Sequence, residues 1–64
     1  MRLTEFWARM NEHFGPAYAE SFAQDHVIGA LGGRTVQESL AAGLDAKEIW
    51  RAVCVDQEVP QTLR

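Results

Sequence analysis

The sequence predicts an all-α fold, a small bundle of three or four short helices with a helix–corner–helix at Thr35–Cys54. Three observations predict it. Apolar residues recur at helical period along most of the chain. Thr35 and Asp45 each stand three residues before a glutamate, the spacing of a capping box. Gly15-Pro16, Gly32-Gly33 and Gly43 fall between the periodic stretches, where helix stops belong.

In the first stretch Leu3, Phe6, Trp7, Met10 and Phe14 make one apolar stripe. Thr4 is the expected N-cap, with Leu3 stapled onto the first turns. Glu5, Arg9 and Glu12 lie on the far side, and Glu5 to Arg9 has the favourable i, i+4 order. Gly15-Pro16 ends this helix, and Pro16 suits the first position of the next.

The second helix places Tyr18, Ala19, Phe22, Ala23 and His26 on one side. Val27, Ile28 and Leu31 do not join that face. Either the helix is buried on two sides near its end, or it breaks around His26 to Gly29. A continuous but distorted end is expected, because Gly32-Gly33 supplies the stop.

Thr35 then caps a short helix, with Glu38 closing the box and Val36 and Leu40 sharing a face. Gly43 suits the left-handed position after it, and Leu44 can dock beyond the turn. Asp45 opens the last helix, with Glu48 completing a second box. Ala46, Ile49, Trp50, Val53 and Cys54 form its apolar stripe, while Lys47, Glu48, Arg51 and Val55 point outward. This helix should fade by Gln57 or Glu58. Val59, which precedes Pro60, should be extended and tuck the tail inward together with Leu63. The expected core is Phe6, Trp7, Met10, Phe14, Tyr18, Phe22, Leu40, Ile49, Trp50 and Val53.

A length of 64 residues fits one domain, residues 1–64. A chain this short has a core that supplies only about 3–5 kcal/mol, so it depends on good caps and buried aromatics. Its 47% hydrophobic content argues against disorder. The net charge of −3 comes from 6 basic and 9 acidic residues, interspersed rather than blocked. That balance weighs against a phosphate-binding surface. One cysteine allows no intrachain disulfide. The first residues carry charges among the apolar ones, unlike a signal peptide, and no apolar run approaches membrane-spanning length. The cytoplasm is the expected location.

RLTEFW, FGPAYAESFAQDHV, LGGRTVQESLAAG and EIWRAVC occur in this order. In that order and spacing they resemble the short actinobacterial family called domain of unknown function 3046. The likeness covers nearly the full chain, and its most specific part is LGGRTV followed by WRAVC. The resemblance implies a compact helical cytoplasmic protein without an assigned activity. It also implies a genomic neighbourhood beside recombination genes, which points toward DNA metabolism. It carries no catalytic residues.

Four chemical readings remain to be weighed against plain packing. The Thr35–Cys54 corner could be a DNA-binding helix-turn-helix, with Ala46 to Val53 as the recognition helix. The residues it would offer first are Asp45, Ala46, Lys47 and Glu48, two of them acidic, so a packing corner is preferred. His26, on the inner side of the second helix, could be catalytic, yet a core histidine bonded to backbone or hydroxyl is expected. Cys54, His13 and His26 lack the paired spacing of a metal site. Cys54 as a nucleophile needs an exposed thiolate and a nearby base, whereas its stripe points it inward. No enzyme activity, cofactor or metal is therefore expected.

Trp7 and Trp50 could anchor a partner, but a small core has greater use for them. Arg34, Lys47, Arg51 and Val55 are the candidate partner-binding surface. Arg34 and Arg51 could instead pair with Asp25 and Glu48 for little net energy. The expectation is a protein–protein interaction or accessory module linked to DNA repair or recombination. The alternative is a helix-turn-helix-like DNA-binding protein. The partner is an unknown protein, nucleic acid is disfavoured by charge, no membrane is involved, and homo-oligomerisation is left open.

Overall fold

The computed structural model of the chain describes residues 1–60 and Thr62. Its elements are α1 (Leu3–Phe14), α2 (Pro16–Asp25), a 3₁₀ turn (Gly29–Leu31), α3 (Val36–Ala41) and α4 (Ala46–Asp56). The fold is all-α. The expected docking of Leu63 lies outside the described residues.

α1 starts one residue before the expected cap. Arg2 is extended and serves as N-cap without a side-chain bond, and its carbonyl accepts from Phe6 N–H at 3.0 Å. That bond draws Leu3 into the first turn, so Thr4 cannot hold the extended backbone a cap requires. Leu3 remains 52% exposed, so it does not staple inward. Phe6 and Met10 are fully buried, with Trp7 and Phe14 packed partly against the same core.

Gly15 joins α1 to α2 by itself. Its φ of 85° and ψ of 145° suit glycine, since residues with a β-carbon rarely adopt this positive-φ conformation. Its N–H closes α1 onto Asn11 O at 2.8 Å, and its carbonyl accepts from Ala19 N–H at 2.8 Å to open α2. Pro16 takes the first helical position, as expected.

α2 stops at Asp25, so the expected continuous helix to Gly32-Gly33 does not form. His26 is extended, and its N–H caps Phe22 O at 3.0 Å. The reason lies in Ile28 and Leu31, which a continuous helix would leave off the inner face. The break turns both inward, to 0% and 6% exposure. Ile28 N–H then bonds Arg34 O at 3.0 Å, an isolated antiparallel bridge that closes the loop containing the 3₁₀ turn. Tyr18, expected in the core, is 57% exposed. Phe14 and Phe22 stack on each other at 4.6 Å and fill the position, leaving Tyr18 to flank them from outside.

α3 carries the full capping box. Glu38 N–H donates to Thr35 Oγ1 at 3.1 Å, and Thr35 N–H donates to Glu38 Oε1 at 2.9 Å. Leu44 N–H returns to Ser39 O and Gly43 N–H to Leu40 O, both at 3.1 Å, a Schellman stop with Gly43 at φ 85°. The second expected box is incomplete. Asp45 Oδ1 accepts from Lys47 N–H at 3.4 Å, one residue before Glu48, so the reciprocal geometry is not set up.

α4 buries Ala46, Ile49, Trp50, Val53 and Cys54 as its stripe predicts, and Ala52 beside them. Lys47, Glu48, Arg51 and Val55 are exposed. After Gln57 the tail turns back through Glu58, and Val59 N–H bonds Cys54 O at 2.9 Å. Val59 is buried to 1% exposure. An edge-to-face contact of Phe6 with Trp50 at 6.3 Å ties α1 to α4, and Trp7 meets Phe6 edge-to-face at 5.3 Å within α1. Among the described residues, no helix is long and apolar enough to cross a membrane.

Candidate functional site

Packing α1 on α4 leaves an open hollow of about 500 Å³ between them. α1 contributes Glu5 and Arg9, one turn apart. α4 contributes Lys47 and Arg51, also one turn apart, with Trp50 and Cys54 on the side nearer the core. Met1 closes one end. Arg9 is half-buried, whereas Lys47 and Arg51 are exposed.

The expected Glu5–Arg9 pair is not made. Among the described residues the ion pair within 4.0 Å is His26–Asp56. Arg9, Lys47 and Arg51 therefore face one space with no carboxylate of the described residues within 4.0 Å of any of them. Arg34–Asp25 and Arg51–Glu48 pairs are likewise not formed among the described residues.

The candidate surface residues thus separate. Lys47 and Arg51 meet in the first hollow. Arg51 also borders a second hollow of about 310 Å³, with Val55, Glu48, Ala52 and Ala30. Arg34 lines neither of these. It sits in the loop closed by its backbone bond to Ile28. Arg9 was not among the candidates. Its spacing to Glu5 reads as an ordinary exposed helix pair, and nothing local to α1 marks its approach to α4.

The histidines and the cysteine do not converge. Cys54 is buried and borders the α1–α4 hollow, while His26 lines a separate hollow with Tyr18, Ser21, Phe22 and Asp25. His26 is partly exposed, contrary to the expected core position. Its ring stacks on Phe22 at 4.6 Å, and its Nε2 meets Asp56 Oδ2 at 2.8 Å rather than backbone or hydroxyl. The break after Asp25 is the cause, since it carries the side chain to the rim. Gln57 Nε2 donates to the same Asp56 oxygen at 2.7 Å. The hydrogen bond from Gln57 is the main cause that holds the Asp56 carboxyl below its usual value; burial opposes it, and the hydrogen bond and charge of His26 add to the lowering. Among the described residues, no group of three His, Cys, Asp or Glu side chains could hold a metal ion.

No curated protein and no solved structure matches the chain. The sequence pattern of one family, described as "Protein of unknown function (DUF3046)", matches residues 1–62. The resemblance read from LGGRTV and WRAVC therefore holds over nearly the whole chain, and the protein belongs to that family.

Proposed function

We propose that the protein is a non-enzymatic interaction module that docks on a partner protein through the outer face of α4, the partner being a DNA-repair or recombination component. The observation that carries this reading is the position of Arg51, exposed and bordering both hollows on the flanks of one helix. α4 buries its opposite face in the core, so its backbone is fixed before any partner arrives. Such preorganisation lowers the entropy cost of docking. Arginine is enriched among the residues that dominate binding energy at protein interfaces.

The helix-turn-helix reading is less well supported. The α3–α4 corner exists, but Ala46 is buried to 9% exposure. Asp45, Lys47 and Glu48 are then what the first turn of α4 can offer to base edges, and two of these repel phosphate.

Affinity capture from the native host with the intact protein tests the proposal. A partner retained by the natural chain and lost by Arg51→Glu is the expected result. Recovery of no partner, with no cellular effect of Arg51→Glu, would overturn it. Duplex DNA bound at low salt and released by Lys47→Ala would favour the helix-turn-helix instead.

A further inference from the structure

We infer that the α1–α4 hollow takes a short acidic peptide segment of the partner, its carboxylates set against Arg9, Lys47 and Arg51 and an apolar side chain set against Met1. This deepens the interaction reading and rests on it.

The protein carries a net charge of −3, yet half of its 6 basic residues line this one hollow. Among the described residues none of the three has an ion-pair partner. Glu5 is the acid that shares the space, so the local charge is positive against the sign of the whole molecule. A region of opposite local sign selects and steers a complementary partner.

Lys47 and Arg51 are a turn apart on α4, and Arg9 faces them from α1. The arginine forks donate to carboxylate oxygens at two points, and the lysine adds a movable charge between them. Trp50, 4% exposed and held edge-to-face by Phe6 at 6.3 Å, is a fixed floor beneath the hollow with little surface of its own. Met1 at the end is 37% exposed and unbranched, able to adapt to an apolar side chain. The volume of about 500 Å³ holds a few side chains rather than a folded domain.

The acids around the hollow favour a peptide over nucleic acid. A continuous phosphate backbone that engaged Arg9, Lys47 and Arg51 would also pass Glu5 in the hollow and Glu48 and Asp45 on the exposed surface of the α4 start. Phosphodiester binding gains from many cations in a row, and the molecule measures only 26 × 22 × 20 Å with acids between its cations. A peptide can place its carboxylates where the cations are and spare the acids.

The experiment selects binders to the intact protein from a displayed library of random short peptides. Chosen peptides are then titrated against Arg9→Glu, Lys47→Glu, their double variant, and Arg34→Glu. These are surface charges, and circular dichroism checks that each variant stays helical. The expected result is enrichment of Asp and Glu around one aromatic or aliphatic residue. The double variant should bind at least about tenfold more weakly, with Arg34→Glu near the natural affinity. No selected binder, a neutral or basic consensus, or equal binding to the double variant would overturn the inference. So would short duplex DNA displacing the peptides at equal charge, which would assign the hollow to nucleic acid. A captured cellular partner that resists the double variant but is lost with Val55→Asp would keep the interaction module and reject this hollow.

Discussion

His26 Nε2 and Asp56 Oδ2 meet at 2.8 Å, which joins the end of α2 to the end of α4 across a sequence separation of 30. The contact fixes the rim of the bundle where α2 has broken. Because the folded Asp56 carboxyl lies below its ordinary value, folding favours its charged form. That contribution is present above the unfolded value, near pH 3.9, and disappears as pH falls through the lowered folded value.

Asp56→Asn should therefore lower stability at neutral pH and make no difference in acid below the lowered folded value. With side chains 43% and 25% exposed, solvent screening limits the loss to at most about 1 kcal/mol. Urea titrations of both proteins across the acid range check this. An equal gap at every pH would mean that Asp56 acts by packing alone.

Thr35→Ala removes one half of a box whose other half, Glu38 Oε1, also depends on the turn being closed. Thr35 is 7% exposed, so water replaces its hydroxyl poorly. The expected loss is about 1–2 kcal/mol, a large share of what so small a core provides. Asp45→Ala should cost less, about 0.5 kcal/mol, because its bond to Lys47 N–H is long and unreciprocated. Thermal melts of the two variants rank them.

Ser39 offers a gain instead of a loss. Its side chain is fully buried, and its Oγ has no hydrogen-bond partner among the described residues. Ser39→Ala deletes a desolvated hydroxyl and adds a better helix former in the middle of α3. Stability should rise by about 1 kcal/mol, read as a higher denaturation midpoint with an unchanged slope.

These residues also mark what the sequence could and could not disclose. The Thr35 box, the Gly15-Pro16 junction and the α4 stripe were legible because each is settled within a few residues of chain. The α2 break was not, because helical propensity near His26 loses to the burial of Ile28 and Leu31. Leu3 and Tyr18 fit their helical stripes but lie at the edges, where the partner helix decides exposure. The hollow was half legible. Lys47 and Arg51 announce an outward face of α4, but Arg9 joins them only through the docking of α1. The His26–Asp56 pair belongs to the same class, since no local rule relates residues so far apart.

The end of α4 supplies the last prediction. Val59 N–H reaches Cys54 O at 2.9 Å and Glu58 N–H reaches Val55 O at 3.4 Å, the bonding of a Schellman stop. The residue in the left-handed position is Glu58, with φ 52°, where glycine is the usual occupant. A side chain there costs about 1–2 kcal/mol in backbone strain. Glu58→Gly relieves that strain but gives the unfolded chain more freedom, which returns about 0.5–1 kcal/mol. The net expectation is a gain of about 0.5–1 kcal/mol, together with slower amide exchange at Val59, whose burial depends on this turn. Glu58→Ala, which keeps the β-carbon, separates strain from charge. If alanine stabilised as much as glycine, the glutamate's charge and not its backbone would be the cause.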